Sequence, residues 1–192
     1  MKKLNDPAVL ERFKKGDVSA FDEIIAAYQD SIYGLCFHML GDYHNAQDAA
    51  QDTFLKAYQS LKGFKQDASI YTWLYRIAVN TCIDYKRKFT FESLFKHHFN
   101  DERLIEQEPS DEPSPERISE SRQSAATLKK ALDKLSKKLK AVILLKEIEG
   151  LSYEEIAYTL DISIGTVKSR ISRARDELRV LMEGTHRGGG SQ

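Results

Sequence analysis

Hydrophobic positions recur at steps of three and four along most of the chain, the spacing of one face of an α-helix. Val9, Leu10 and Phe13 form a short first stripe, and Phe21, Ile24, Ile25, Tyr28, Ile32, Leu35, Cys36 and Met39 a longer second one. Gly41-Asp42 breaks that pattern, and a third helix is expected from about His44 to Leu61, with Ala50, Phe54, Ala57 and Leu61 inward. Gly63-Phe64-Lys65-Gln66-Asp67-Ala68 reads as a loop, with Ser69 as the N-cap of a fourth helix from about Ile70 to Lys88. At about 100° per residue, Ile70, Leu74, Ile77, Ala78, Thr81 and Tyr85 share the inward face of that helix.

The second half repeats the helical period with sharper punctuation. Leu128, Leu132, Leu135 and Leu139, then Val142, Ile143, Leu145 and Ile148, make two stripes divided near Ser136 and stopped by Gly150. Ser152-Tyr153-Glu154-Glu155 is a capping box, in which Ser152 and Glu155 satisfy backbone donors reciprocally. It opens a short helix with Ile156, Ala157 and Leu160 inward. Asp161-Ile162-Ser163 is a three-residue turn, and Ser163 can cap a second helix carried by Val167, Ile171, Ala174, Leu178 and Leu181. Two short helices across a tight turn, the second strongly basic, form a helix-turn-helix. Opposite the inward set stand Ser169, Ser172, Arg173 and Asp176, flanked by Lys168, Arg175 and Arg179. Small hydroxyls permit close approach to a major groove, and Lys168 and Arg173 can supply base-edge or phosphate contacts. A packed helical hairpin with a solvated face is the alternative on pattern alone.

Between these halves the periodicity fails. Residues 106–116 hold three of the four prolines and almost no apolar side chain, so they are expected to form an extended linker. The 192 residues carry 29 basic and 29 acidic side chains, and a net charge of zero at first argues against a nucleic-acid partner. The distribution reverses that argument. Residues 1–100 carry 13 basic and 12 acidic side chains, residues 101–120 carry 2 and 8, and residues 121–192 carry 14 and 9. A basic C-terminal third is thus masked by an acidic middle, whose charge would also compete with DNA for the basic helix. No apolar run approaches the ~20 residues needed to span a bilayer, and the start, with two lysines and no apolar stretch behind them, is not expected to be a secretory signal. Cys36 and Cys82, both inside apolar segments, read as core residues of a reducing compartment.

Two further groups of residues carry candidate chemistry. Asp48, Gln51, Asp52 and Lys56 form a polar ridge on the third helix. It suits a solvated face or a docking ridge for another protein. A metal or acid/base role lacks any histidine or cysteine at supporting spacing. On the fourth helix Trp73, Arg76, Asn80, Asp84 and Arg87 cluster within an arc of roughly 80°, and Lys86-Arg87-Lys88 follows. An aromatic ring can stack on an unstacked base, Asn and Arg can bond base edges, and terminal cations can meet phosphates. Equally, Trp73 can pack on a neighbouring helix while the cations favour the negative helix end. His97-His98, His38, His44 and His186 show no metal-ligand spacing.

Ser69-Ile-Tyr-Thr-Trp-Leu-Tyr-Arg-Ile-Ala-Val-Asn80, then Leu151-Ser-Tyr-Glu-Glu-Ile-Ala157 and Gly165-Thr-Val-Lys-Ser-Arg170, resemble the extracytoplasmic-function (group IV) sigma factors of bacterial RNA polymerase. The resemblance runs from about Phe21 to Leu181. It implies an all-α fold of two small helical domains joined by a flexible acidic linker: region 2 over residues 1–98, linker 99–121, region 4 over 122–184 and a tail over 185–192. Ala46 to Phe54 resembles region 2.2, so Asp48, Gln51, Asp52 and Lys56 would dock on the β′ clamp. Phe64, Lys65, Asp67 and Ser69 correspond to a loop that captures a base flipped from the −10 element, with Asn80 in the same pocket. Trp73 and Arg76 correspond to positions near the melting point, with Lys86 and Arg87 extending the −10 surface. Thr166, Lys168, Ser169, Ser172, Arg173 and Arg175 would meet the −35 element. The implied protein is a cytoplasmic promoter-specificity factor, not an enzyme, with no metal or cofactor and no membrane contact of its own. Its implied partners are core polymerase (β′ clamp and β flap), promoter DNA and an anti-sigma factor. A helix-turn-helix regulator acting without polymerase is the alternative. Departures are Ser136-Lys137-Lys138-Leu139-Lys140, where the family often has a Leu-Pro entry and an arginine; Ser172, bulkier in some relatives; and Phe89 to Asn100, which has no clear counterpart.

Overall fold

The computed structural model describes residues 7–64, 68–96 and 126–187. Eight α-helices and one 3-10 turn are described, with no strand among the described residues: α1 Pro7–Lys14, α2 Ser19–Leu40, α3 Tyr43–Ser60, the 3-10 turn Leu61–Gly63, α4 Ile70–Lys96, α5 over 126–134, α6 Lys137–Glu147, α7 Tyr153–Leu160 and α8 Ile164–Arg187.

Local chemistry sets the boundaries. Gly41 ends α2 with φ 79°, a left-handed conformation costly for residues with a Cβ, and its N–H donates to the Phe37 carbonyl at 2.8 Å. Asp42 then caps α3 by accepting from the Asn45 N–H at 2.8 Å. Ser69 caps α4 through the Thr72 N–H at 3.1 Å, as its place in the sequence predicts. The predicted end of α4 at Lys88 is eight residues short. The backbone stays helical to Lys96, because residues 89–96 contain no glycine or proline to stop it.

In the N-terminal unit α2 packs on α1, α3 and α4, and α3 packs on α4. Phe13, Phe21 and Tyr58 tie the first three helices together, with ring centroids 5.3–5.9 Å apart. Ile24, Ile32, Leu35, Leu61 and Leu74 are fully buried at the centre. Cys36 and Cys82 are buried as free thiols. Cys36 lies beside Cys82, and that contact together with burial pushes its pKa far up, which makes it an inert core residue. Phe54, expected inward, is only half-buried, and Thr53 takes the core position, its hydroxyl donating to the Ala49 carbonyl at 2.7 Å.

The C-terminal unit packs α6, α7 and α8 around Val142, Leu145, Leu151, Ile156, Val167 and Ala174. Two stripe positions depart from expectation. Leu128 is 42% exposed near the start of α5, and Ile148 is 50% exposed because it falls one residue past the end of α6. Lys140 is the reverse case, a lysine that is 1% exposed yet satisfied by Asp133 Oδ1 at 2.6 Å.

The two units are packed together. α4 lies against α7, and α2 against α6. No described helix is long and apolar enough to cross a membrane.

Candidate nucleic-acid interface

The helix-turn-helix forms as its sequence predicts. Ser152 Oγ accepts from the Glu155 N–H at 3.1 Å, and the Glu155 carboxylate accepts from the Ser152 N–H at 2.7 Å, closing the capping box. Asp161 ends α7 at φ 54°, in the left-handed region that Asp tolerates better than most residues. Ser163 starts α8, accepting from the Thr166 N–H at 3.2 Å.

α8 rests on Val167, Ile171 and Ala174, all buried, and turns Lys168, Ser169, Ser172, Arg173, Arg175 and Asp176 outward. The outward residues are not equivalent. Thr166 shares a hydroxyl contact with Ser163 at 2.9 Å, and Ser169 donates to the Thr166 carbonyl at 3.0 Å, so both are bound to their own helix start. Arg175 is held by Glu147 at 2.6 Å, and Arg179 by Asp176 at 3.2 Å. Lys168, Ser172 and Arg173 are exposed and enter no ion pair among the described residues. These three are the groups most available to base edges and phosphates.

α4 is a different surface. Phe64 is buried and its ring stands 4.9 Å from Trp73, which is half-buried. Asn80 is exposed, as is Arg87, whose guanidinium lies 3.5 Å from Asp84. Lys86 is half-buried, and burial first, then Lys140 nearby, lowers its pKa. Lys65 and Asp67 lie outside the described residues, as do His97-His98 and the acidic segment.

Arg76, expected on the outer arc, is half-buried against α7. Its guanidinium donates to the Tyr158 carbonyl at 3.5 Å, lies 3.7 Å from Asp161 Oδ2 and sits 5.5 Å from the Tyr158 ring centroid. One turn earlier, the Thr72 carbonyl accepts from Thr159 Oγ1 at 3.4 Å. Tyr71 donates to the Glu149 carbonyl at 2.8 Å, and Tyr75 donates to the Glu149 carboxylate. Burial raises the Tyr75 and Glu149 pKa values, Tyr75 the more because its hydroxyl also faces that carboxylate. Neither tyrosine was singled out from sequence. The available signal was the nearly unbroken apolar and aromatic run from Ile70 to Val79, which marks a helix enclosed on more than one side.

The ridge on α3 divides as well. Asp48, Gln51 and Lys56 are exposed, whereas Asp52 is half-buried and accepts from the Tyr85 hydroxyl at 2.9 Å. Lys56 Nζ reaches Thr81 Oγ1 at 3.0 Å. Leu55, which belongs neither to the inward set of Ala50, Phe54, Ala57 and Leu61 nor to the polar ridge, is 55% exposed one turn beyond Gln51. An apolar side chain standing between polar neighbours is what a docking face needs at its centre. No group of three or more His, Cys, Asp or Glu that could hold a metal occurs among the described residues.

Comparison with known proteins completes the description. Residues 24–90 match the family model of Sigma-70 region 2, and residues 125–178 that of Sigma-70 region 4. The chain is 37% identical over 182 residues to the RNA polymerase sigma-H factor of Pseudomonas aeruginosa, covering 90% of this chain and 91% of that one. It is 39% identical over 173 residues to the ECF RNA polymerase sigma factor SigW of Bacillus subtilis, covering 88% and 92%. Among solved structures, the sigma factor RpoE in complex with the anti-sigma factor NepR from Bartonella quintana aligns with a TM-score of 0.69 at 27% identity, over 86% of this chain and 98% of that one.

Proposed function

The chain belongs to the sigma-70 family of RNA polymerase sigma factors, in its extracytoplasmic-function group, and from that premise we propose how its residues divide the work. The N-terminal unit, proposed as residues 1–98, docks on core polymerase through Asp48, Gln51, Asp52 and Lys56, with Leu55 at the centre of that face. The same unit holds the −10 element through Phe64, Lys65, Asp67, Ser69, Trp73, Arg76, Asn80, Lys86 and Arg87. Extruding a base costs a few kcal/mol of unstacking, offset by stacking and edge bonds in the receiving pocket. Residues 99–121 connect it to the −35 reader at 122–184, where Thr166, Lys168, Ser169, Ser172, Arg173 and Arg175 face the major groove. The tail, expected over 185–192, overlaps α8, which runs to Arg187.

The observation that carries this reading is the outward face of α8, where Lys168, Ser172 and Arg173 stand exposed on a capped, well-packed helix. Two weak DNA contacts tethered through polymerase gain by effective concentration, so neither unit must bind tightly alone. The protein acts as a specificity factor in the bacterial cytoplasm, without catalysis and without a cofactor. Its partners are the β′ clamp, the β flap, promoter DNA and, by analogy with the complex of RpoE and NepR, an anti-sigma factor. Run-off transcription with bacterial core polymerase on a fragmented genomic library tests the reading. Initiation at discrete sites sharing two spaced motifs is expected. No initiation anywhere, with a specific footprint from the polymerase-free chain, would instead establish a stand-alone regulator.

A further inference from the structure

The C-terminal end of α2 and the corner between α5 and α6 enclose a cleft of about 320 Å³, within the range of small-ligand pockets. Its walls are mostly apolar, with the Phe37 ring on α2 and Leu128 and Leu132 on α5. Leu128 belongs to the apolar stripe of α5 yet is 42% exposed, and this cleft is what it lines. The charged groups around it are predominantly of one sign. Lys129, whose ammonium stands 5.3 Å from the centroid of the Phe37 ring, lines the cleft with Lys140 and His38, against one carboxylate, that of Asp133. That carboxylate is already engaged, since Asp133 Oδ1 accepts from the buried Lys140 Nζ at 2.6 Å. It does not cancel the field of the ammonium. Burial first, then Lys140 and Lys129, lowers the His38 pKa. Burial, then Lys140, lowers that of Lys86, and Asp133 opposes the effect there only in part. The cleft therefore combines an apolar interior with unmatched positive charge.

We propose that this cleft binds an organic monocarboxylate with an apolar chain, of the medium-chain fatty acid class. At ~30 Å³ per non-hydrogen atom it holds about ten of them, the size of octanoate. The chain lies against Phe37, Leu128 and Leu132 and displaces water from them. The carboxylate meets Lys129, which is exposed, with Lys140 and His38 adding to the attraction. A neutral alcohol of the same length finds the same walls but gains nothing from the charge, and an alkylammonium is repelled by it. Phosphate and nucleotides fit poorly, because the apolar walls leave their further oxygens without donors. None of the lining residues belongs to the faces proposed for core polymerase or DNA, so the site is additional to them.

Isothermal titration calorimetry of octanoate into the full chain, at neutral pH and low salt, is the test. Saturable binding at one site per chain is expected. Butanoate, which buries less of the wall, and octanol, which lacks the charge, should each bind weaker by on the order of tenfold or more. Lys129→Gln is expected to weaken octanoate several-fold and to leave octanol unchanged. Lys130→Gln removes an equal charge from the next exposed position of α5, outside the cleft, and should leave both near their original values. Leu128→Asp, which sets a carboxylate in the exposed wall, should weaken octanoate on the order of tenfold, with circular dichroism checking that the helices are retained. No saturable binding, or many sites per chain, overturns the site. Octanol binding as tightly as octanoate overturns the anionic head group. Octanoate binding that neither Lys129→Gln nor Leu128→Asp changes lies elsewhere on the chain and overturns the cleft.

Discussion

α8 rests on its unit along one stripe, Val167, Ile171 and Ala174, and leaves Lys168, Ser172 and Arg173 in solvent. α4, the other helix proposed to meet DNA, is enclosed on two sides. Ile70, Leu74 and Ala78 are buried in a helix that packs on α2 and α3, whereas Tyr71, Tyr75 and Arg76 meet the bend before α7 and its last turn. A one-sided helix offers its ligand face at all times. A two-sided helix must lose one neighbour before its face is complete, so access to α4 is conditional where access to α8 is not.

The strongest way to test this contrast is through the cores. Leu74→Ala, at a fully buried site, is expected to cost ~3 kcal/mol of stability by lost burial and the cavity left behind. Val180→Ala, at a site 65% exposed on α8, should stay within ~0.5 kcal/mol. Urea unfolding measures both, and comparable losses would mean that α8 is not held along one stripe.

The next effect sharpens the comparison within α8. Arg173→Ala in the holoenzyme should weaken −35 binding by ~1–3 kcal/mol, and Arg175→Ala by clearly less, since Glu147 already holds that guanidinium. Competition binding against duplexes altered in the −35 element separates base reading, whose loss is sequence-specific, from phosphate contact, whose loss weakens all sequences alike and lowers the salt dependence. Equal losses at the two arginines would remove the distinction drawn between free and paired cations.

Much of α8 and its approach was legible from sequence because each signal is local. Ser152, Glu155, Ser163 and the period of Val167, Ile171 and Ala174 lie within a few residues of the bonds they make. On α4 the local signals were equally sound, and Ser69 caps the helix where its position predicted. What escaped was the partner of Tyr71, Tyr75 and Arg76, which lies at residues 149–161 across the acidic segment. A helical period tells which residues leave the water, but not which of two neighbours receives them. Leu55 is illegible for the opposite reason: it lies off the helical stripe and outside the polar ridge, and the period gives no sign that a docking face exposes an apolar side chain between polar ones.

That exposed leucine gives the third expectation. Leu55→Arg should weaken core polymerase binding tenfold or more, measured by competition with a labelled sigma factor, with stability changed by less than ~0.5 kcal/mol. Unaltered binding would remove α3 from the docking face.

The smallest expected effect is that of pH on stability. His38 stands exposed at the edge of a cleft of about 320 Å³ between α2 and the α5–α6 corner, which Lys129 and Lys140 also line. Burial, then Lys140 and Lys129, lowers its pKa below the ordinary 6.5. The folded chain therefore binds this proton less readily than the unfolded chain. Its contribution to stability is full above pH ~6.5 and is lost as the pH falls through that value towards the lowered one. Solvent screening keeps the change below ~1 kcal/mol. The urea midpoint should drop modestly from pH 7.5 to 5.5 and stay level in His38→Gln. The Glu149 carboxyl, raised by burial, works in the other direction, because its proton favours the folded state, but from a lower starting value of 4.5.

The most direct test of conditional access to α4 is energy transfer between fluorophores at Gln29→Cys and Lys134→Cys, both exposed positions, before and after core polymerase is added. High transfer in the free chain and a saturable fall on holoenzyme assembly is the expected result. Transfer that is unchanged on assembly would contradict the account, because α4 would then meet promoter DNA with Arg76 still held by α7.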